Sequence, residues 1–423
     1  MKPIASITRQ FTSVVALAVA GFVISGCTGL PTAPPSAKTF VWKVNPMPSN
    51  TNAYINSVDI SGDGSRVIAG NFYHLYTDGT NAVYVPPTTN TYGVFLWNAA
   101  GTLQWSDTFQ ATEGTYWVGL SRDGAWAAGG GMVAPGTGFV FAYDAATGTK
   151  VLNCPTQGRV SRLALSGDGS YLVAGAEATY FFQRTGASWS APQIIPCGTN
   201  DNVVSVDISD DGQWIVTGTH GVKYGDGAHG GVVQLLQNNN GVVVVRGSWQ
   251  QPKDSFTHWV AMAANGSGCV VGADDASAYY FSTAGFGISN APTWTATLDG
   301  CERCGCVAIS SDGSLVSAVG NAPKGSAIRG KVFLFSNQNG VAKQLWEKAT
   351  AQDPNGTSFD AAGKFITVTD GYKTSGDFYL YDQAGNLQWS YPTKTMAWPM
   401  KISGNATGIV AGTDNSNVYF FLP

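Results

Sequence analysis

One turn is written over and over in this chain. An apolar strand runs into Ser-x-Asp-Gly at "SVDISGDG" (Ser61), "WVGLSRDG" (Ser121), "RLALSGDG" (Ser166), "SVDISDDG" (Ser209) and "CVAISSDG" (Ser310). Looser copies stand at "WVAMAANG" (Ala263), "PNGTSFDAAG" (Ser358) and "PMKISGNATG" (Ser403). The Gly of such a turn tolerates positive φ and its Asp can bond the local backbone, so each copy predicts a strand reversal. The anchors lie 60, 45, 43, 54, 47, 48 and 45 residues apart.

A period of about 45 residues built of short strands belongs to β-propellers, where each repeat is a four-stranded blade. The rest of each repeat fits. A second strand follows the turn ("RVIAG", "YLVAG", "WIVTG", "LVSAV"), and a third alternates aromatics with aliphatics ("GVFLWN", "GFVFAYD", "KVFLFS", "DFYLYD", "NVYFFL"). A Gly turn then leads to a fourth strand carrying Trp42, Trp105, Trp189, Trp249, Trp294, Trp346 or Trp389. This explains why "LWNAAGTLQWS" (96–106) returns as "LYDQAGNLQWS" (380–390): both are third strand, turn and fourth strand, of the first and seventh repeats. The eighth repeat stops after its third strand, and "TFVWKVNP" around Trp42 is free to complete it from the other end. The expectation is an all-β, eight-bladed propeller over residues 38–423, its last blade closed by the N-terminal strand. Seven blades is the alternative, if the repeat at Ala263 or Ser358 is not a blade.

The segments "YDAATGTKVLN" and "YDQAGNLQW" resemble the tryptophan-docked blades of pyrroloquinoline-quinone-like propellers, a likeness that implies fold and says little of activity. With 53 Gly, 13 Trp, 17 Tyr and 20 Phe and only 12% charged residues, the composition favours sheets and tight turns over helices or disorder. Net charge is -4 with no Lys/Arg run, which argues against nucleic-acid binding.

The first residues read as targeting. Lys2 and Arg9 precede the apolar run "VVALAVAGFVI", too short to span a bilayer, and then Ser25-Gly26-Cys27. "ISGC" resembles the lipobox of bacterial lipoproteins, which implies a signal peptide over 1–26 and a diacylated Cys27. A membrane surface would then hold the protein through its acyl chains, with the Pro-rich stretch 27–37 as tether. Thr28 in place of Asp points to the outer membrane. Lipobox plus propeller is similar in plan to the lipoprotein subunit of the outer-membrane β-barrel assembly machinery, and the partner it implies is an envelope protein.

Turns after first and third strands are tight throughout, while connections between second and third strands, and between blades, carry inserts. These are Asn71–Tyr92, Thr219–Gly231, Gly320–Gly330 and Asp299–Cys306. Long loops on a rigid scaffold usually carry function, so binding is expected on that face. Candidate contacts are Tyr73, His74, Tyr76, Tyr84, Tyr92, Tyr224, His229 and Arg329, with an envelope protein or a glycan as partner. The plainer reading is that the Tyr rings pack together to still their own loop. The competing function is an enzyme or lectin acting on a glycan, lactone or peptide at the central pocket of the same face. Catalysis finds little support: the four histidines sit in no nucleophile or metalloprotease motif, no phosphate loop is present, and no cofactor is expected. His220, His229 and Asp226 share a Gly-rich loop that reads as solvated, not as a metal site. Six cysteines beyond Cys27 suggest disulfides outside the cytoplasm, with Cys301–Cys304 and Cys154–Cys197 as candidates. Asp59, Asp207 and Lys401, two residues before their anchors, are the only charges at that inner-strand position.

Overall fold

The computed structural model describes residues 38–50, 53–73, 89–198, 201–220, 230–252, 255–287, 289–338 and 340–423. Among these residues every regular element is a strand, and the strands form eight antiparallel blades, seven of four strands and a third blade whose outer position is shared by two short strands, Ser188–Trp189 and Gln193–Ile195. Blade 1 shows the plan: Ala53–Ile60, Arg66–Tyr73, Asn90–Asn98 and Leu103–Ala111 pair in chain order. The innermost strands of the other seven blades are Gly114–Leu120, Arg162–Leu165, Val203–Ile208, Thr257–Met262, Arg303–Ile309, Pro354–Phe359 and Ala397–Ile402. Each lies against the next around a closed ring, with Ala397–Ile402 returning to Ala53–Ile60.

The borrowed strand is there. Trp42–Val44 pairs with Val418–Phe421, setting Trp42 opposite Phe420 and Val44 opposite Val418. The Trp42 ring stacks on Phe420 at 5.3 Å, and its indole N–H donates to Ala99 O of blade 1 at 3.0 Å. Closure this way covers the outer edge of the last blade's third strand, and Val410, Val418 and Phe420 are buried there with Ile55, Val58 and Val67 of blade 1.

The turn chemistry repeats as the residues require. Ser61 Oγ donates to Asp63 Oδ1 at 2.6 Å, Asp63 Oδ1 accepts Ser65 N–H, and Ser61 Oγ accepts Arg66 N–H. Ser121, Ser166, Ser209 and Ser310 do the same with Asp123, Asp168, Asp211 and Asp312. One anchor has to be moved. In blade 7 it is Asp360, not Ser358, whose carbonyl accepts the turn N–H of Gly363 and whose carboxylate accepts Phe365 N–H. Asp360 does with a carboxylate what the serines do with a hydroxyl, so the repeat was masked.

Blades are tied edge to edge by the fourth-strand tryptophans. Trp105 donates to Ala145 O at 2.9 Å and Trp346 to Gln383 O at 3.0 Å, each in the third turn of the following blade. The indole lies where a side chain would be: a Cβ on Gly148, whose φ is +73°, would stand 2.6 Å from the Trp105 ring. Glycine there is demanded by both backbone and neighbour. The buried indole N–H groups of Trp189 and Trp389 have no such partner.

Candidate functional site

The eight inner strands enclose a channel, and aligning them on the corrected anchors sorts its wall into layers. Two residues before the anchor stand Asp59, Gly119, Ala164, Asp207, Ala261, Ala308, Ser358 and Lys401. Four before it stand Ser57, Trp117, Arg162, Ser205, Trp259, Cys306, Gly356 and Pro399. The second layer holds a plug. The Arg162 guanidinium lies 3.7 Å from the centre of the Trp117 ring and 4.1 Å from that of Trp259, and the two indoles meet edge to face at 5.4 Å. A cation between two aromatic faces is held by the ring quadrupoles.

Below the plug, towards the Ser-x-Asp-Gly turns, lies a cavity of about 280 Å³ lined by Asp59, Arg122, Arg162, Asp207, Asp210 and Lys401 among others. It opens through the ring of turns, at a mouth bordered by Asp63, Asp123, Asp168 and Asn405. The turns are laced by backbone hydrogen bonds. Gly62 N–H donates to Arg122 O, Asp123 to Gly167, Gly167 to Asp210, Asp210 to Ala264, Asn265 to Ser311, Ala361 to Gly404 and Asn405 back to Gly62. Over this rim Arg122 of blade 2 reaches Asp210 of blade 4, Nε to Oδ2 at 2.6 Å, across Gly167 of blade 3. A Cβ on Gly167 would stand 3.1 Å from Asp210, so glycine keeps that path uncrowded.

Asp59 and Asp207 sit in the cavity wall for a structural reason. The tetrapeptide Ser-Val-Asp-Ile occurs at 57–60 and 205–208, and both copies tie their blade to the next. Ser57 Oγ accepts Val118 N–H and Asp59 Oδ2 accepts Leu120 N–H; Ser205 Oγ accepts Val260 N–H and Asp207 Oδ2 accepts Met262 N–H. Burial raises the Asp59 carboxyl and pushes that of Asp207 up to about 6, although both accept backbone N–H bonds.

Above the plug, towards the long loops, the inner strands share an irregularity that the sequence did not announce. In seven of the eight the register with the second strand slips at the same place, between Ile55 and Ser57, Thr115 and Trp117, Val203 and Ser205, and onward to Ala397 and Met400. The extra residues are Asn56, Tyr116, Val204, His258, Gly305, Asn355 and the pair Trp398–Pro399. Blade 3 alone pairs without a slip. A bulge bends a strand and re-aims a side chain, and bulges gather beside binding sites. Here they bring together a polar and aromatic set. His258 Nε2 meets Asp274 Oδ1 at 2.8 Å, the Trp398 indole N–H donates to Asp414, and Asn56 donates to Tyr116 O. The Arg159 guanidinium lies over Tyr116 at 4.7 Å while pairing with Glu113 at 3.1 Å.

The residues expected to bind from the long loops fare unevenly. Cys27, His74, Tyr76, Tyr84, Tyr224 and His229 lie outside the described residues. Tyr73 ends a strand, half-buried against Ala53, Tyr92 and Ala111. Tyr92 is no surface residue: it is 0% exposed, since its neighbour Gly114 has no side chain to keep the ring out, and burial raises its phenol to about 12. Arg329 is engaged with Asp353 at 2.8 Å and lies over Tyr372 at 5.1 Å. Neither expected disulfide is formed, as Cys154, Cys197, Cys301 and Cys304 are all free thiols. Cys301 points its sulfur at Gly320 in its own blade and Cys304 points its own at Gly272 of the blade before, so the two diverge. The central pocket expected on the long-loop face is also displaced, for the cavity opens among the turns. Trp117, Arg122, Arg162, Asp210 and Trp259 were missed. Stacking the repeats on their anchors would have exposed them as bulky or charged residues at positions otherwise small.

Fold and channel together define a β-propeller of the WD-repeat-like kind. The family model "WD domain, G-beta repeat" (WD40) matches residues 192–227, from the end of blade 3 through the first two strands of blade 4. Among solved structures, the β-propeller domain of Cps50 (Swd1) from Myceliophteria thermophila superposes with a TM-score of 0.53 at 11% identity, covering 73% of this chain and 96% of that one. At that identity the likeness is one of fold. No curated protein matches the sequence.

Proposed function

We propose that this protein is a lipid-anchored envelope protein that binds a partner protein through the long-loop face of its propeller. The observation that carries the binding face is the recurring bulge. Seven strands interrupt their ladders at one level, each at a cost in backbone pairing, and five of them release a polar or aromatic side chain, Asn56, Tyr116, His258, Asn355 or Trp398, while the other two release Val204 and Gly305. Such side chains offer apolar area with a polar tip, the chemistry enriched at protein interfaces. The anchor rests on the "ISGC" motif at Cys27, and an envelope partner follows from that placement.

Two measurements test the two halves. Cys27→Ser should move the protein from membrane to soluble fractions, and unchanged partition on immunoblots would remove the anchor. Changing Tyr116 and Trp398 together to Ser should abolish co-purification of the partner from solubilised membranes, since buried aromatic anchors contribute roughly 2 kcal/mol or more each. Asp123→Asn with Asp168→Asn, on the opposite face, should leave it intact. The reverse pattern would transfer the binding site to the turn face.

A further inference from the structure

The closing strand brings apolar side chains to the rim that the fold does not bury. Phe40 is 39% exposed, Val41 53%, and Leu422, one residue past the strand they run beside, 52%. They are held on the outside of blade 8. Phe40 stands edge-on to Tyr391 at 6.1 Å and to Tyr419 at 5.9 Å, Val41 N–H donates to Phe420 O, and Lys38 Nζ donates to Pro423 O at 3.4 Å. Two ammonium groups accompany them. Lys38 lies over the Trp389 ring at 5.4 Å and the exposed Lys43 over that of Tyr419 at 5.0 Å. Among the described residues neither lysine pairs with a carboxylate. Apolar side chains flanked by lysines on long stems make a surface suited to the headgroup boundary of a bilayer.

Other blades expose apolar side chains too, and chain length decides between them. Ile194, Val242, Val244 and Val245 stand on blades 3 and 4, across the ring from blade 8. Cys27 and Lys38 are eleven residues apart in the sequence, a span of at most about 40 Å. A domain made of residues 38–423 is roughly 55 Å across. An acyl group on Cys27 therefore brings the rim at blade 8 to a membrane and leaves blades 3 and 4 out of reach.

We infer that the propeller rests on the membrane by this edge, with Phe40, Val41 and Leu422 in the headgroup boundary of an anionic bilayer and Lys38 and Lys43 at its phosphates. The inference rests on the lipid anchor proposed above and adds an orientation to it. The closing strand is the outermost of its blade, so the channel axis lies along the plane of the membrane. The long-loop face then looks sideways and meets a partner embedded in the same membrane without the propeller having to turn.

Hydroxyl-radical footprinting read by mass spectrometry tests this. The acylated protein on vesicles of phosphatidylglycerol and phosphatidylethanolamine is compared with the Cys27→Ser variant free in solution. Oxidation of Phe40 and Leu422 should fall at least threefold on the vesicles, and that of Val242 and Val245 should stay the same. Lys43→Glu, a change at the surface, should restore at least half of the lost reactivity while the protein remains bound by its acyl chains. Vesicle-bound protein whose Phe40 and Leu422 react as they do in solution would overturn the inference and leave the anchor standing, as would equal protection of Val242. Protection of the soluble variant that grows with its concentration would give the edge to a second copy of the chain instead. An acylated protein that does not bind the vesicles at all would remove the anchor, and this inference with it.

Discussion

At the scale of single residues the turn aspartates do most to make the chain legible, and they make it sensitive to acid. Partial burial works against their charge, but the Ser hydroxyl and backbone N–H bonds win and hold the carboxyls of Asp63, Asp168 and Asp312 below their ordinary value. A carboxyl depressed in the folded state stabilises fully above its unfolded pKa, and that contribution is lost as pH falls through the lower folded value. Blades 5 and 8 show how to remove the dependence without removing the turn. Asn265 and Asn405 occupy the same place and accept the same backbone N–H bonds, from Ser267 and Thr407. Changing Asp63, Asp168 and Asp312 together to Asn should therefore leave the melting temperature near pH 7 almost unchanged and move the midpoint of acid unfolding to lower pH. An acid midpoint that does not move would show that other groups govern acid unfolding.

At the scale of elements the tryptophan dock decides how blade meets blade, and its two versions can be told apart. Trp105 donates to Ala145 O and packs on Gly148, whereas Trp389 has packing on Phe421 at 5.2 Å and no acceptor. Trp105→Phe forfeits a hydrogen bond and leaves Ala145 O without its donor, a loss of about 1 kcal/mol or more. Trp389→Phe deletes an N–H that is already unpaired, so it should be neutral or slightly stabilising. Trp105→Ala should cost about 3 kcal/mol. On a domain of this size that lowers the melting temperature by about 3–4 °C. Scanning calorimetry of the three variants checks the order, and a Trp389→Phe variant as damaged as Trp105→Phe would contradict the dock.

At the scale of the molecule the ring is closed by a strand of three paired residues that joins its two ends. Removing residues 38–47 takes away the pairing of Trp42–Val44, the Val41 N–H bond to Phe420 O at 2.7 Å and the stacked Trp42. It also leaves Phe420 and Val418 at an open edge. The loss should be on the order of several kcal/mol from burial and ladder bonds together. The drop in melting temperature should exceed that of Trp105→Ala at least twofold. A deletion no worse than the single substitution would mean that the ring holds without its latch.

The repeat, the count of eight, the fourth-strand tryptophans and the closing strand were all legible in the sequence, because each rests on local chemistry that recurs at a fixed distance. Ser-x-Asp-Gly makes its own turn, and alternating aromatics make their own strand, whatever surrounds them. Blade 7 escaped alignment by two residues for the same reason, since Asp360 makes the turn with a different side chain. What tertiary structure alone decided is everything that depends on residues from different blades meeting. Arg162 is an ordinary strand residue until the ring brings Trp117 and Trp259, 45 residues behind it and 97 ahead, to its two faces. Tyr92 looked like an exposed loop aromatic until Gly114 left room for its ring. Asp59 and Asp207 stood out in the sequence only as charges at one inner-strand position, and the ring gives them their role by bringing Leu120 and Met262 N–H of the next blades to their oxygens. The bulges left no trace at all, because a one-residue slip is set by how two strands pair and not by the composition of either.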